Sequence, residues 1–577
     1  MRAFLAQRAL IFWPNDGSFS LHEHFDDAKS ICQALLHYHK LAKAEAPALR
    51  SPLAVPCVPP TLRGAQVHAA QTILNNCVTV LEGYPGTGKT AIITWAMSYF
   101  ANVLLVTLTG AMASSLRDRN GGRPEAACTI DHIIWNAFQM APAIAYAWLS
   151  RYQVLIIDEF SNVTTTKLAR LLLLLPNLRR VIFVGDHQQI RSRKAGDPLG
   201  DLRDHFPLFE LREILRVAPH LQALLEVPKV LSEQSVKLLR WSPAGPLTMV
   251  EPVKDSIDAD KALLKALLND VWASGGRRLM HFQLIVLQND RRCVLNAHCH
   301  ELAIEAGIIS RKAQRVMMGG PNKDIGYCVG AKICFTHNYN KPVEWCENES
   351  EAAAATSWRQ DKWHGDPVVN GECGVIVSIT TLPQRKGWSL CFTINDEKMR
   401  DTRHQKTVII SRSIANAVSP NHMDLGYAIT TTKVQGREYP YAIFWNNRGS
   451  MASNGYWSRA HPYVALTRGK EHVWYVGYKR DLWAMCDYAE PHRRTILRAM
   501  LEGHFAAQYR AVGPVVSAGE LHPAGTVYTT LPKGVACVPT LADVLREREL
   551  QQREERKQRA IQEAMEAAAM EMDEDDE

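Results

Sequence analysis

The segment Gly83-Tyr84-Pro85-Gly86-Thr87-Gly88-Lys89-Thr90 has the spacing G-x-x-x-x-G-K-[ST]. The apolar run 77–81 before it predicts a strand, and the apolar run 91–100 after it predicts a helix. A strand, a glycine-rich loop and a helix in this order form a phosphate-binding loop. The glycines allow backbone N–H groups to surround phosphate oxygens, and the helix N-terminus adds a favourable dipole. The sequence therefore predicts a nucleoside triphosphate site in a parallel α/β domain.

The polar end of this loop predicts how the phosphates are held. Lys89 has the length and charge to reach the β- and γ-phosphates, and the Thr90 hydroxyl is a ligand for Mg²⁺. ATP and Mg²⁺ are therefore the expected cofactors. A chance glycine-rich turn is the alternative, and the predicted strand and helix on either side argue against it.

An acidic pair follows a second predicted strand. Residues 154–157 are all apolar, and Asp158 and Glu159 come directly after them. At the carboxyl end of a parallel strand, Asp158 is placed to hold Mg²⁺, and Glu159 is placed to orient and deprotonate the attacking water. A third apolar run, 181–184, leads to Gln189, whose amide is placed to sense the γ-phosphate. A solvated acidic pair is the alternative interpretation of Asp158 and Glu159.

Further segments resemble, in the same order, the motifs of superfamily 1 helicases, and within superfamily 1B those of the RecD-like (Dda-like) group. The resemblance covers most of residues 62–478. The matching segments are the adenine-reading glutamine segment 62–66, motif Ia at 103–116, motif Ib at 128–132, motif II at 158–161, motif III at 185–199, motif IV at 211–216, motif V at 430–438 and motif VI at 463–468.

This resemblance implies a catalytic and nucleotide-binding set larger than the loop itself. Charge that builds on the γ-phosphate oxygens needs positive charge on the far wall of the cleft, and arginine fingers supply it. The implied catalytic residues are Lys89, Asp158, Glu159, Gln189, Arg216 and Arg468. The implied nucleotide contacts are Gln66, Gly83, Tyr84, Pro85, Gly86, Thr87, Gly88, Lys89, Thr90, Gln435 and Gly436, with Thr90 and Asp158 as the metal ligands.

The resemblance also implies a track for single-stranded DNA. Its expected contacts are Thr109, Gly110, Thr129, Thr432 and Lys433. The chain departs from the family pattern in the motifs that contact DNA. Leu108 stands in place of proline, Asp131 in place of histidine and Val434 in place of serine. A carboxylate at Asp131 is expected to weaken binding of a phosphate backbone unless it is paired.

The expected fold is α/β, with two RecA-like parallel-sheet domains, an inserted small SH3-like β-barrel (domain 2B) and helical N- and C-terminal extensions. In the family the barrel lies over the DNA channel, and a spacer barrel without nucleic-acid contact is the alternative. The expected divisions are an N-terminal helical region with a proline-rich linker (1–60), domain 1A (61–217), the first part of domain 2A (218–325), the barrel (326–412), the rest of domain 2A (413–480) and a C-terminal extension with a charged helix and an acidic tail (481–577).

The composition is that of an ordinary soluble, core-forming protein. Of 577 residues, 46% are hydrophobic and 22% are charged, and the net charge is only +7, so a DNA track must be local. No apolar run approaches a membrane span, and no signal peptide is recognised at the start. The 13 cysteines include no C-x-x-C pair, which indicates a reducing, intracellular compartment. The group Cys293, His298, Cys299 and His300 is interpreted as a polar helix surface, with a zinc site as the alternative.

These features predict an ATP-dependent DNA helicase. The resemblance implies 5′ to 3′ movement on single-stranded DNA and unwinding of duplex in replication, recombination or repair. The expected partners are single-stranded and forked DNA and, through the acidic run 573–577, a replication protein. Compact length and divergent motifs suggest a phage or large-DNA-virus source, with a location in the host cytoplasm or nucleus. Two alternatives stay open: a viral superfamily 1 RNA helicase, and a nucleic-acid-binding scaffold without turnover.

Overall fold

The computed structural model describes the larger part of the chain between residues 10 and 510. The described ranges are 10–13, 18–45, 62–119, 127–192, 194–214, 222–233, 236–243, 245–252, 257–273, 278–316, 326–336, 368, 370–382, 387–393, 405–411, 423–446, 457–488, 493 and 495–510. Within these ranges, no helix has both the length and the apolar character needed to cross a membrane.

An antiparallel hairpin and one long helix come first. The hairpin pairs β1 (Leu10–Trp13) with β2 (Ser18–Leu21), and helix α1 (His22–Glu45) follows directly. The predicted helix in the N-terminal region is thereby confirmed. The proline-rich linker after it lies outside the described residues.

The first large unit alternates helices and strands. Its elements are α2 (Ala65–Asn75), β3 (Val78–Gly83), α3 (Lys89–Tyr99), β4 (Val103–Thr107), α4 (Gly110–Arg119), β5 (Cys128–Thr129), α5 (Ile130–Gln139), α6 (Pro142–Leu149), β6 (Val154–Ile157), α7 (Thr165–Leu173), β7 (Arg180–Gly185), α8 (Pro198–Arg203) and β8 (Leu208–Leu211). A short 3-10 turn, Phe160–Asn162, follows β6.

These strands form one six-stranded parallel sheet in the order β5-β4-β6-β7-β3-β8. Strands β3, β6 and β7 are buried along their whole length, as strands covered by helices on both faces must be, and this explains their nearly continuous apolar sequence. Because β6, β7 and β3 are neighbours, the loops that follow them meet at the same edge of the sheet.

A second parallel sheet follows. The elements that belong to this unit are α9 (Gln222–Glu233), β9 (Leu247–Val250), α10 (Ile257–Val271), β10 (Phe282–Val286), α11 (Asn289–Glu305), and later β18 (Ala428–Thr430), α12 (Thr431–Val434), β19 (Tyr439–Trp445), α13 (Ala460–Leu466), β20 (Gly469–Val476) and α14 (Lys479–Asp487). The strand order is β18-β10-β19-β20-β9. The predicted α/β fold with two RecA-like parallel sheets is confirmed.

The strands between β10 and β18 form antiparallel structure. A small hairpin pairs β11 (Arg315–Val316) with β12 (Tyr327–Cys328). A five-stranded sheet has the order β16-β15-β14-β13-β17, and its strands are β13 (Lys332–Phe335), β14 (Cys373–Leu382), β15 (Gly387–Thr393), β16 (Gln405–Ser411) and β17 (Met423–Leu425). The predicted change to β structure is confirmed here. The SH3-like assignment of this sheet stays a prediction, and the polar stretch 346–366 lies outside the described residues.

The last described helix, α15 (Ile496–Arg510), returns to the first unit. Leu497 and Leu501 are buried in the same core as Ile31 and Leu35 of α1 and Leu168 of α7. The helical layer on this face of the first sheet therefore contains residues from both the beginning and the end of the described chain. The predicted charged helix 541–570 and the acidic run 573–577 lie outside the described residues.

Candidate nucleotide site and interdomain cleft

The phosphate-binding loop joins β3 to α3, and its glycines are required by its geometry. Gly86 and Gly88 both have φ of +84°, which L-amino acids with a side chain rarely adopt. A Cβ atom on Gly83 would lie 2.8 Å from both the Leu211 Cβ and the Thr87 Oγ1. The loop is closed from inside, since the Thr87 hydroxyl donates a hydrogen bond of 2.8 Å to the Tyr84 carbonyl.

Two polar side chains contact the loop itself. The Lys89 ammonium donates to the carbonyl oxygens of Gly83 and Tyr84, the latter at 3.1 Å. The buried amide of Gln66, on α2, donates to the Gly88 carbonyl at 3.4 Å. The structure thus brings Gln66 to the phosphate loop, as expected of a residue at the nucleotide site.

The acidic pair lies at the tip of β6, next to the phosphate loop. The Asp158 Oδ1 accepts a hydrogen bond of 2.9 Å from the Glu159 backbone N–H. Glu159 has φ of +54°, an unusual conformation for a non-glycine residue that is often found where a side chain is aimed for function. The charges of Lys89 and Arg468 both act on its carboxylate, so the structure brings these three predicted residues together.

The surroundings of Glu159 favour a carboxylic acid that titrates near neutrality. Loss of hydration is the main cause that raises its pKa to about 7, and the negative charge of Asp158 raises it further. Lys89 and Arg468 act in the opposite direction. A base with a pKa close to the working pH is well suited to take a proton from water.

We therefore expect a pH dependence of turnover. Below about pH 7 Glu159 is protonated and cannot accept a proton from water, so kcat/KM for ATP hydrolysis should fall about tenfold per pH unit. Above that pH the carboxylate is ionised and kcat/KM should reach a plateau. The measurement is kcat/KM between pH 5.5 and 9 at constant ionic strength. A profile that is flat between pH 6 and 8 contradicts Glu159 as the base.

Asp186, at the tip of β7, is a hydrogen-bonding centre of the site. Its Oδ1 accepts from the Gln188 N–H at 3.0 Å, and its backbone N–H and carbonyl both bond to the Ser161 hydroxyl. The following turn buries Gln189, whose Oε1 has no hydrogen-bond partner within the described residues. A buried, unpaired amide oxygen at this point is consistent with the predicted role of Gln189 beside the phosphates.

Arg468 is buried at the end of α13 in the second unit. Its Nε donates to the Val464 carbonyl at 2.8 Å, its Nη1 to the Arg437 carbonyl at 3.2 Å, and its Nη2 to the Thr467 hydroxyl at 2.8 Å. These bonds hold the guanidinium in place while its charge reaches Glu159. The other predicted arginine finger, Arg216, lies outside the described residues.

Direct contacts cross the cleft between the two parallel sheets. The Tyr463 hydroxyl donates to the Asp186 Oδ2 at 2.6 Å. The Gln435 amide donates to the Ile190 carbonyl at 3.2 Å and accepts from the Asn162 amide. Motifs V and VI therefore touch the loops after β6 and β7 directly, and Gln435 lies at the interface as well as near the nucleotide site.

Gly436 lies close to the Met112 side chain of the first unit. It has φ of +70°, and a Cβ there would lie 2.4 Å from the Met112 Cε of α4. A side chain at position 436 would therefore be strained by the positive φ, and the Met112 side chain would have to move to make room for it. The structure gives Gly436 a packing role at this contact.

The predicted DNA contacts lie at helix starts on both units. Thr109 precedes α4, and its hydroxyl accepts from the Met112 N–H at 3.4 Å. Thr129 caps α5 by accepting from the His132 N–H at 3.1 Å, and Gly110 is the first residue of α4. Thr432 is exposed and Lys433 half-buried on α12. The three threonines and Gly110 thus lie near helix N-termini, where backbone N–H groups favour anions, and Lys433 is the third of the four residues of α12.

Asp131, the unexpected acid of motif Ib, is paired. Its Oδ2 lies 2.6 Å from the Lys167 ammonium of α7. Because Asp131 is paired with a lysine, its carboxylate is compatible with a phosphate backbone nearby.

The interpretation of the Cys–His group as a polar helix surface is wrong for two of its members. Cys299 and His300 are fully buried, because α11 packs this side against β18. The His300 Nδ1 lies 3.1 Å from the Tyr427 hydroxyl, and burial lowers the pKa of His300 to about 4. Among the described residues, no three potential metal ligands come together.

Sequence reasoning missed the residues that join the two units. Tyr463, Asp186, Asn162 and Met112 were not assigned roles, although Tyr463 and Asp186 lie in recognised motifs. The position of Asp186 directly after the apolar strand β7, at the edge of the sheet where the phosphate loop lies, was the available signal. Met112 carried no signal, because a methionine in a helix is usually a core residue.

Part of the chain is similar to known proteins. Residues 61–238 match the family model described as an AAA domain. The chain is 28% identical over 163 residues to the RecBCD enzyme subunit RecD of Haemophilus influenzae, which covers 24% of this chain and 26% of that protein. It is 29% identical over 165 residues to the ATP-dependent RecD2 DNA helicase of Deinococcus radiodurans, covering 26% and 21%. The chain thus spans about a quarter of the length of these relatives.

Among solved structures, the chain is similar to a Pif1 helicase from Bacteroides in complex with ADP-AlF3 and single-stranded DNA. The TM-score is 0.41 and the identity is 15%, with 78% of this chain and 98% of that chain covered. The family model thus matches residues 61–238 as an AAA domain, and the curated relatives to which part of the chain is similar include RecD and RecD2.

Proposed function

We propose that this chain is an ATP-dependent DNA helicase that moves along single-stranded DNA from 5′ to 3′ and separates duplex ahead of it. The observation that carries the proposal is the hydrogen bond from Tyr463 to Asp186, between motif VI of one unit and motif III of the other. Asp186 also acts through its charge on Glu159, the proposed base, so we expect a change at the γ-phosphate to alter this contact between the units.

The residues at the site fit Mg²⁺ and ATP. The Thr90 hydroxyl and the Asp158 carboxylate offer the oxygen ligands that Mg²⁺ prefers. When bound, Mg²⁺ supplies charge neutralisation at the β- and γ-phosphates. Lys89 would bind the same phosphates, Glu159 would accept the proton of the attacking water, and Gln189 would detect the γ-phosphate. Arg468 would stabilise the charge that builds during transfer.

A DNA substrate is supported by the helix starts at Thr109, Thr129 and Thr432. Hydroxyls and backbone N–H groups at these positions bind phosphates without reading bases, which suits movement along any sequence. Thr109 and Thr129 belong to the first unit and Thr432 to the second. Closing and opening the cleft would therefore change the distance between two contact points on one DNA strand. Two relatives are named as a RecBCD subunit and a DNA helicase, which is the reason for choosing DNA over RNA.

An unwinding assay tests this proposal. Duplexes with a 5′ tail, a 3′ tail or blunt ends, made of DNA and of RNA, are incubated with the protein and ATP. We expect separation of the 5′-tailed DNA duplex and ATP hydrolysis that is stimulated by single-stranded DNA. Preference for RNA duplexes supports a viral RNA helicase instead, and binding without stimulated hydrolysis supports a scaffold.

A replication protein as partner of the acidic run 573–577 and an intracellular location belong to the same proposal. The acidic composition of this run is what supports a partner. A pull-down with and without residues 573–577 is the corresponding test.

The DNA track predicts a specific effect of Lys433. Lys433→Ala should weaken single-stranded DNA binding about equally for two unrelated oligonucleotides. It should also reduce the slope of log affinity against log salt by about one unit, because one fewer counterion is displaced. ATP affinity in the absence of DNA should be unchanged.

The matched control is Lys265→Ala. Lys265 is an exposed lysine of α10 that pairs with Glu305 of α11 and not with a residue of motif V. The Lys265→Ala substitution should change neither the affinity for single-stranded DNA nor the slope of log affinity against log salt. A normal slope together with lost ATP binding in Lys433→Ala would move Lys433 from the DNA track to the nucleotide site.

A further inference from the structure

Two buried cysteines lie side by side where the antiparallel sheet meets motif V. Cys334 on β13 is directly opposite Cys373 on β14. The neighbouring Phe335 N–H donates to the Glu372 carbonyl at 2.8 Å, so Phe335 occupies a hydrogen-bonded position and Cys334 a non-hydrogen-bonded one. Opposite residues in such positions have Cα atoms about 4.5 Å apart, which is inside the range of about 4.4–6.8 Å found for disulfides.

An arginine contacts one of these two sulfurs. The Arg437 Nη1 donates to the Cys373 Sγ at 3.2 Å, and its Nη2 donates to the Gly371 carbonyl. The pKa of Cys373 is lowered most by its hydrogen bond with the Cys334 thiol. The positive charges of Arg437 and Lys332 lower it further. The hydrogen bond to Cys373 and burial both raise the pKa of Cys334.

Among the described cysteines, no other is paired across a sheet with a second cysteine and also contacts a guanidinium. Burial raises the pKa of Cys128 to about 12, and Cys299 is fully buried with a raised pKa. Cys391 is half-buried on β15, and its sulfur contacts the amide of Gln405. Since the thiolate is the nucleophile, a sulfur next to a guanidinium reacts faster than a neutral thiol of similar exposure.

We propose that Cys334 and Cys373 form an oxidisable pair, a modification site that hydrogen peroxide converts to a disulfide. The Cys373 thiolate attacks one peroxide oxygen, the O–O bond breaks, and the departing hydroxide takes a proton to become water. The resulting sulfenic acid is attacked by the Cys334 sulfur. The S–O bond breaks, and hydroxide leaves with the Cys334 proton as a second water. Two electrons pass from the two thiols to the peroxide.

The pair is connected to the proposed arginine finger. Arg437 directly follows Gln435 and Gly436, and its carbonyl accepts a hydrogen bond from the Arg468 guanidinium at 3.2 Å. A disulfide carries no negative charge, so Arg437 loses its counter-charge on oxidation. This consequence rests on the proposed function, whereas formation of the disulfide does not.

Peptide mapping of the whole protein tests the chemistry. The reduced protein is treated with hydrogen peroxide, remaining thiols are alkylated, and peptides are analysed by mass spectrometry. We expect a linked peptide pair that contains Cys334 and Cys373, lighter by two hydrogens, that dithiothreitol separates. We also expect Cys373 to react at least about tenfold faster than Cys391 although it is more deeply buried. Alkylation of both cysteines after treatment that oxidises Cys391 would overturn the proposal.

Two variants make the test independent of folding defects. Arg437→Gln should slow formation of the linked peptide severalfold, and Cys391→Ser should leave its rate unchanged. In the original protein, ATP hydrolysis should fall severalfold on oxidation and recover with dithiothreitol. If the reduced protein hydrolyses no ATP, the proposed function fails while the mapping still decides about the cysteine pair.

Discussion

Replacing Arg468 with alanine is expected to lower the rate of ATP hydrolysis by about 10³–10⁵-fold, the range typical of an arginine finger. The guanidinium is buried, is held by three hydrogen bonds, and acts on the Glu159 carboxylate through its charge. Its removal leaves the charge on the γ-phosphate oxygens uncompensated in the transition state. The measurement is the steady-state rate with saturating ATP and single-stranded DNA, together with DNA affinity, which should change little.

Arg459→Ala is the matched control for this variant. Arg459 lies at the start of the same helix, α13, but its Nε donates to the Cys486 carbonyl of α14 at 2.6 Å, away from the nucleotide site. It should retain most of the hydrolysis rate. Arg468→Lys keeps the charge without the planar fork and should give an intermediate rate. A loss of less than tenfold in Arg468→Ala would remove Arg468 from the catalytic residues.

Substitutions at Lys89 and Glu159 are expected to separate binding from chemistry. Lys89→Ala removes the ammonium that reaches the phosphates, so tight binding of the triphosphate and hydrolysis should both be lost. Glu159→Gln keeps the size and the hydrogen-bonding capacity of the side chain. It should bind ATP with nearly unchanged affinity while the hydrolysis rate falls by about 10²–10⁴-fold, the usual contribution of a general base.

Each of these two variants is the control for the other. Nucleotide affinity is measured by titration with a slowly hydrolysed analogue, and turnover by phosphate release. Hydrolysis by Glu159→Gln at the original rate would show that another group accepts the proton. Tight binding by Lys89→Ala would show that the backbone of the phosphate loop suffices to hold the triphosphate.

The sequence predicted those parts of the molecule that depend on local pattern. Strand β6 coincides with the predicted run 154–157, β7 extends the predicted run 181–184 by one residue at each end, and β3 begins one residue later and ends two residues later than the predicted run 77–81. A buried parallel strand is apolar throughout, and the phosphate loop needs glycine at fixed positions, so both leave a signal in a single chain. Lys89 and Glu159 could be assigned to one site from these patterns, whereas the proximity of Arg468 to them could be anticipated only through the resemblance to a family.

The remaining contacts depend on tertiary structure and leave no such signal. The pairing of Asp131 with Lys167 joins residues on two helices, and the hydrogen bond from Tyr463 to Asp186 joins two sheets. The packing of Leu501 against α1 joins the two ends of the described chain. The partners in each pair lie on different elements, and the number of residues between them depends on all the elements in between. No fixed spacing in the sequence therefore indicates these contacts.

The return of α15 to the first unit has a consequence for synthesis on the ribosome. Roughly 280 residues separate the end of β8 from the start of α15. At about 5–20 residues per second, this corresponds to a delay of about 15–60 s. During that time α1 has an apolar face, with Ile31 and Leu35, that its final partner has not yet covered. The first unit therefore completes its core only after the second has been made, and nascent chains stopped before α15 should bind chaperones more strongly than the finished protein.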